Sequence, residues 1–377
     1  MVIEKPANYD EPQTVNDELM IPPLVGKEVE LKPGTNEEIN IEMTDDGGAI
    51  VGEQERIIEE NFDANLAEFI DDNELGVIAS DLRGSYEEDK SSRREWSDAY
   101  TKGLELLGLR YQERTMPFAG ASGVTHPLLA EAVTQFQAQA YKELLPAGGP
   151  VRTQIIGKQS KEKEDQAQRV SEFMNYQIMH VMEEYDPELD QMLFYLPLAG
   201  STFKKVYYDG GLGRAVSKFV TADDLVVPYS ATDLEEAQRV THVIKKSSNE
   251  VRKLQVSGFY RDVSLQEYDE EDRIEEKERK ISGVEKVGYS TDEYTLLEIH
   301  VNLDLPGFED PDGIKLPYIV TIDEGSGNVL SVYRNYKEGD TLFKKQQYFV
   351  HYKFMPGLGF YGLGLIHMLG GLSRTAT

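Results

Sequence analysis

Apolar positions recur at helical spacing in several stretches of the chain, and glycine or proline bounds most of them. Trp96, Tyr100, Leu104 and Leu107 fall at i, i+4, i+8 and i+11, one stripe of an amphipathic helix, and Gly108 suits its C-terminal stop. Pro127 suits the first turn of a second helix, whose stripe runs Leu128, Ala132, Phe136, Ala140 and Leu144 before PAGGP ends it. VRTQIIG, residues 151–157, reads as a short strand. The charged run 161–185 reads as a long helix burying Val170, Phe173, Met174, Ile178 and Val181, because methionine at that spacing usually packs a core. A short apolar helix is expected after Pro187. Upstream, Ile57, Ile58, Phe62, Leu66 and Phe69 predict a short surface-docked helix between Gln54 and Leu75.

From residue 201 the pattern changes to β-branched and aromatic runs. TFKKVYYD (202–209), RAVSKFVTADDLVVP (214–228) and RVTHVIKK (239–246) alternate in part and predict an antiparallel sheet. YTLLEIHVNLDLP, LPYIVTIDE, NVLSVYRNY and LFKKQQYFVHYKF predict a further meander of three or four strands, with FEDPDG and EGSG as turns. Between the groups, SLQEYDEEDRIEEKERKISG is dense in both charges and reads as a solvated helix or mobile insertion near 264–284. No repeat of solenoid or propeller period is visible. The expected class is α+β with antiparallel sheets. It divides into an acidic, largely disordered arm (1–90), a mainly helical part (91–200), a β-rich part (201–355) and a glycine-rich turn leading into a helix (356–377).

Charge changes this picture at the N-terminus. The chain of 377 residues carries a formal charge of −29, and residues 1–90 hold 25 acidic against 6 basic side chains. A surface of that sign repels polyanions within about a Debye length, roughly 8 Å at physiological salt, so a protein that grips nucleic acid is disfavoured. Loose passage past DNA is not. Cysteine is absent, which rules out disulfides and thiolate metal sites. The six histidines form no H-E-x-x-H pair, and the N-terminal residues MVIEKPANYDEPQ have neither the basic flank nor the apolar segment of a signal peptide.

The candidate chemistry centres on FMPGLGFYGLGLIHMLGGL (354–372). Gly357, Gly359 and Gly362 match the G-x-G-x-x-G spacing of a dinucleotide turn, yet Pro356 removes a backbone donor where a phosphate cradle needs one. That turn also belongs to a parallel β-α-β unit with an acidic ribose ligand further on, and the surroundings here read as antiparallel. The same run lacks charge over 19 residues, but its six glycines make it a poor membrane span. FEDPDG lacks the alternation of a calcium loop and reads as a turn. Asp223 and Asp224 resemble paired carboxylates without a base or metal ligand, and His126 and His367 stand alone. No acid–base couple, cofactor site or metal site is expected.

Five stretches taken together, from Trp96 to Gly108, Pro117 to Val151, GSTFKKVYYD, VTADDLVVP ending at Pro228, and the glycine-rich run with Tyr361, resemble the portal, or head-to-tail connector, proteins of tailed double-stranded DNA bacteriophages, particularly the short-tailed kind. The resemblance spans about 91–377 in the order of its motifs. It implies a portal fold with a helical and β wing, a β-rich clip and the start of a stem. It also implies a ring of twelve identical subunits at one capsid vertex of the virion, assembled in the host bacterial cytoplasm. DNA passes through such a ring without sequence specificity during packaging and ejection. Partners implied are the large terminase subunit, which supplies the ATPase, head–tail adaptors, and capsid and scaffold proteins, with no catalysis by the portal itself. The chain ends within an expected helix, so an N-terminal portion of a longer protein is expected. The alternatives are another head–tail adaptor or ejection protein, and a dinucleotide-dependent enzyme.

Overall fold

The computed structural model describes residues 40–43, 49–52, 61–108, 118, 125–268, 273–284 and 292–376. In the N-terminal unit, residues 1–62, strand β1 (Asn40–Met43) pairs antiparallel with β2 (Ala49–Gly52). The second unit, residues 63–377, opens on a 3-10 turn, Leu66–Glu68, before α1 (Asp72–Ser92). Asp71 caps α1 by accepting from the Asn73 backbone N–H at 2.8 Å. Its buried positions are Leu75, Ala79, Leu82, Tyr86 and Asp89.

The expected helix ending at Leu75 therefore lies elsewhere. Ile57 and Ile58 are outside the described residues, and Leu66 and Phe69 belong to the turn that precedes α1. The compact unit begins at Asp63 rather than near Ser91, and the acidic segment carries more regular structure than its charge suggests. Small Ala79 and charged Asp89 thin the stripe of α1 until periodicity no longer reveals it.

Helix α2 (Arg94–Leu104) continues through a 3-10 turn, Glu105–Leu107, and stops at Gly108, whose φ of +69° is left-handed. Trp96, Tyr100, Leu104 and Leu107 are all buried, as their spacing predicts. α3 (Leu128–Leu144) starts directly after Pro127, but its most buried residues are Leu129 and Val133, one position on from the expected stripe. Its first turns face the Trp96 core, whereas Phe136 and Ala140 pack on a separate cluster with Leu189, Met192 and Leu193.

Residues 151–157 are not a strand. The Val151 amide donates to Asn175 Oδ1 at 2.8 Å, and the Val151 carbonyl accepts from Ser171 Oγ at 3.0 Å and Asn175 Nδ2 at 3.1 Å. Helix side chains thus take the backbone bonds a ladder would use. Those side chains belong to α4 (Lys161–Tyr176), which is shorter than expected and runs into a π-helical turn, Gln177–Val181. The burial expected for α4 is also corrected: Phe173 is 60% exposed, Val170 47% and Met174 41%. Its apolar stripe is real, but α4 buries no residue within the described chain. α5 (Tyr185–Ala199) takes Pro187 in its first turn, buries Leu189, Met192, Leu193 and Leu198, and ends at Gly200 with φ of +89°.

The remaining elements are β3 (Ser201–Asp209), β4 (Arg214–Val220), β5 (Leu225–Val226), β6 (Arg239–Ser247), α6 (Ser248–Val256), α7 (Arg273–Ser282), β7 (Glu293–Leu303), β8 (Leu316–Asp323), β9 (Val329–Arg334), β10 (Phe349–Lys353) and α8 (Leu365–Ala376). They form a three-stranded antiparallel sheet in the order β10-β3-β4 and a five-stranded antiparallel sheet in the order β5-β6-β7-β8-β9. The protein is α+β. VTADDLVVP divides between the two sheets, with the turn 221–224 joining them. LFKKQQYFVHYKF does not extend the meander: only its last residues are a strand, and they pair with β3, Phe349 opposite Lys205 and Lys353 opposite Ser201. The charged run holds α7, which is not wholly solvated, since Ile274 is buried in the main core. That core lies between α2, α3, α5, α7, α8, the three-stranded sheet and strands β5 and β6 of the larger sheet, with Phe203 and Phe360 fully buried.

One ion pair ties α1 to the larger sheet. Asp89 is buried, and Arg239 on β6 meets it in a fork, Nε to Oδ2 at 3.0 Å and Nη2 to Oδ1 at 2.9 Å. Arg239→Met leaves that carboxylate buried without its cation. It should destabilise the fold by about 3–5 kcal/mol, while adding Asp89→Asn should recover part of the loss, as read by urea denaturation of the single and double variants.

Candidate functional site

The glycine-rich run fills its own space. An added Cβ at Gly357 would lie 2.3 Å from the Tyr361 carbonyl oxygen, at Gly359 2.4 Å from the Tyr229 ring, and at Gly362 2.4 Å from the Gly200 carbonyl oxygen. At Gly364 it would lie 2.2 Å from the Leu198 carbonyl oxygen. The backbone is stitched to the α5–β3 junction and to itself: Gly362 N–H donates to Ser201 Oγ at 2.7 Å, Phe354 N–H to the Gly200 carbonyl at 2.9 Å and Leu363 N–H to the Met355 carbonyl at 2.9 Å. These amides serve protein acceptors rather than a phosphate, and the strand before them is antiparallel to its neighbour. A dinucleotide turn has neither property.

Next to this passage, three of the sequence motifs converge on Arg93, which is 3% exposed. Its Nη1 donates to the Ala222 carbonyl at 2.6 Å and the Leu225 carbonyl at 3.4 Å, and its Nη2 donates to the Asp223 carbonyl at 2.6 Å and the Asp223 carboxylate at 3.4 Å. The Tyr361 hydroxyl accepts from Arg93 Nη1 at 3.3 Å and from the Val227 amide at 3.2 Å, and donates to the Leu225 carbonyl at 3.0 Å. Trp96 stacks on Tyr361 at 4.8 Å and on Tyr100 at 5.7 Å between ring centroids. One cation therefore ties the α1–α2 junction, the turn 221–225 and the glycine-rich passage together. Within that turn, Asp224 accepts from Thr221 Oγ1 at 2.8 Å, and the two aspartates have different partners rather than forming a couple.

A second buried centre joins the two sheets. Lys205 on β3 donates to both oxygens of Glu298 on β7 at 2.6 Å, and His300 Nε2 lies 2.9 Å from Glu298 Oε1. His242 on β6 lies 3.9 Å from the same oxygen, and Phe349 packs edge-on against both imidazoles. Burial opposes the charge on Glu298, but Lys205 and the hydrogen bond from His300 outweigh it and hold the carboxyl well below its usual range. Burial pushes His242 down to about 3, so it is neutral at pH 7, and lowers His300 as well.

The expected residues are thus distributed by role. Trp96, Tyr361, Gly359 and Gly362 lie in one packed junction, with Gly357 and exposed Pro356 at its edge. Pro228 starts a turn whose carbonyl accepts from Ala231 N–H at 2.9 Å. Gly108 ends the 3-10 turn, and His126 and Pro127 are exposed at the start of α3. Pro117 lies outside the described residues. His367 accepts from the Gly364 amide at 3.1 Å within the first turn of α8. Among the described residues no three His, Asp or Glu side chains are placed to hold a metal ion, and no helix is long and apolar enough to cross a membrane. Sequence reasoning missed Arg93, which sits inconspicuously in SSRRE, and Glu298, whose signal is a charge inside the otherwise apolar TLLEIHV. No protein-family model and no curated protein matches the chain.

Two outcomes follow. Gly364→Ala should markedly lower the thermal midpoint because its Cβ meets backbone, whereas Gly371→Ala in α8, with nothing within 4 Å, should leave the midpoint unchanged or raise it, helix propensity contributing up to ~1 kcal/mol of stability. His242 resists protonation in the fold and takes up a proton near 6.5 when unfolded, so its contribution is lost as pH falls from about 6.5 towards about 3. Glu298 adds to the loss at lower pH. His242→Phe should therefore show a shallower fall in urea stability between pH 7 and pH 4 than the parent.

Proposed function

We propose that the chain is part of a bacteriophage portal, a structural ring of twelve subunits through which double-stranded DNA enters and leaves the capsid, and not an enzyme. The observation that carries this reading is the convergence on Arg93. The stretches around Trp96, Ala222–Val227 and Tyr361 resemble portal proteins in the same order, and they meet in space as one packed structural module. In this reading the helical part and the three-stranded sheet belong to the wing, and the larger sheet contributes to the wing or clip. The glycine-rich passage leads towards the stem.

Two physical features support the assignment. The acidic balance suits a conduit that DNA must slide through, since a basic lining would hold a polymer carrying one negative charge per about 1.7 Å. A closed ring uses a heterologous interface, in which one patch meets a different patch on the neighbour. The exposed apolar stripe of α4 is surface that a lone subunit gains nothing by showing. Terminase, head–tail adaptors, capsid and scaffold proteins are the partners this role requires.

Mass photometry and negative-stain microscopy of the full-length protein should show rings of twelve. Monomers and dimers alone, over a range of salt and protein concentration, would overturn the proposal. Gly359→Val, which must displace Tyr229, should reduce the ring fraction and leave nicotinamide and flavin titrations blank, as for the parent.

A further inference from the structure

The outer strand of a sheet turns half of its backbone N–H and C=O groups away from its neighbour, and those groups invite another strand unless something seals them. The two sheets of the second unit have four such edges, and side chains seal three. On β4, Glu184 accepts from the Ser217 amide at 3.3 Å and Glu188 accepts from the Phe219 amide. On β9, Asn65 accepts from the Val332 amide at 3.0 Å and donates to the Leu330 carbonyl at 3.1 Å. On β5, Arg93 and the Tyr361 hydroxyl donate to the Leu225 carbonyl at 3.4 Å and 3.0 Å. The fourth edge, β10, has no such seal. The Val206 amide donates to the Tyr348 carbonyl at 2.8 Å and the Phe354 amide to the Gly200 carbonyl at 2.9 Å. By alternation Val350 and Tyr352 bond to β3, while His351 and Lys353 turn their backbone groups outward. Among the described residues those outward groups have no hydrogen-bond partner. Val350 and Tyr352 are exposed on the same face as exposed Val206, and Lys353 is exposed on the other.

A lysine on an edge deters indiscriminate pairing but admits an acidic strand. The chain carries one. In KEVELKPG, residues 27–34, Glu28, Val29, Glu30 and Leu31 alternate acidic and apolar side chains, and Pro33 ends the run. These residues lie outside the described ones. We propose that the β10 edge takes up residues 28–31 of a second copy of the chain as an added antiparallel strand. Every strand pair in the two sheets is antiparallel, and one register satisfies both faces. With Glu28 opposite Lys353, Val29 meets Tyr352 and Leu31 meets Val350, so apolar side chains cover the exposed apolar face while the carboxylate meets the ammonium. The backbone bonds then fall at His351 and Lys353, the two residues whose groups point outward. The contact joins an edge on one copy to a different segment on the next, which fits a closed ring, but it rests on the open edge and not on the portal reading.

The test uses a fluorescein-labelled peptide of residues 24–36 and the full chain carrying Val29→Pro, whose own segment cannot pair. Anisotropy should saturate with a Kd below ~300 µM. Lys353→Pro removes one outward N–H, leaves the bonds to β3 in place and should weaken the peptide about tenfold. Lys353→Glu should weaken it about threefold, and a Glu28→Lys peptide should restore binding to that variant, which a folding defect could not imitate. The chain has no cysteine, so introduced thiols report on each other alone. Chains carrying Val29→Cys, mixed with chains carrying Tyr352→Cys and oxidised, should cross-link between chains, in a yield that Lys353→Pro lowers. A peptide that does not saturate, equal binding to the Lys353→Pro chain, or a doubly substituted chain that cross-links only within itself would overturn the proposal. Ring formation is scored separately by mass photometry. Rings without peptide binding overturn this contact alone, and peptide binding without rings upholds it while the portal reading falls.

Discussion

A single buried guanidinium organises the largest part of this molecule. The turn that carries the chain from the small sheet to the large one has carbonyls pointing inward, and inward carbonyls require donors. Arg93 supplies them in a fixed planar fork, which a lysine could not do with the same geometry. Burying that charge is tolerable because carbonyls, a carboxylate and a phenol surround it, and because two aromatic faces lie within 6 Å of it. The helix junction, the inter-sheet turn and the glycine-rich passage are therefore positioned by the same side chain, and none can shift alone.

The glycines extend that constraint by a different means. At Gly357, Gly359, Gly362 and Gly364 the requirement is close approach, not an unusual dihedral: neighbouring backbone or the Tyr229 ring occupies the place of a side chain. Gly103 on α2 does the same for Ile366 on α8. Gly200 combines both demands, with a left-handed φ and the Gly364 amide within 2.4 Å of its missing Cβ. A motif that matches a phosphate turn in spacing is thus a packing device in three dimensions.

What the sequence revealed follows from the range of the interactions involved. Trp96, Tyr100, Leu104 and Leu107 announced a buried helix face because large apolar side chains at helical spacing carry the signal locally. The strands were visible from alternation, but their partners were not: nothing in FVHYK indicates that it joins β3 rather than β9. α4 misled because periodicity reports an apolar face and not whether the same chain covers it. Residues 151–157 have strand-like composition, yet Asn175 and Ser171 take the backbone bonds of Val151. Arg93 and Glu298 were illegible because their roles depend on groups far away in sequence, 129 to 132 residues for the turn carbonyls and 93 for Lys205.

The pairing of β10 with β3 has a further consequence, for the order in which the chain can fold. The partners lie about 150 residues apart, and the entire five-stranded sheet is threaded between them. The small sheet cannot close until that intervening material is compact enough to bring its ends together, so the strand preceding the glycine-rich passage is a late arrival by topology. A nascent chain emerging from the ribosome would hold β3 and β4 as an open hairpin with an unpaired edge for much of synthesis. Lys204 and Lys205, adjacent on β3, keep two positive charges on that waiting strand.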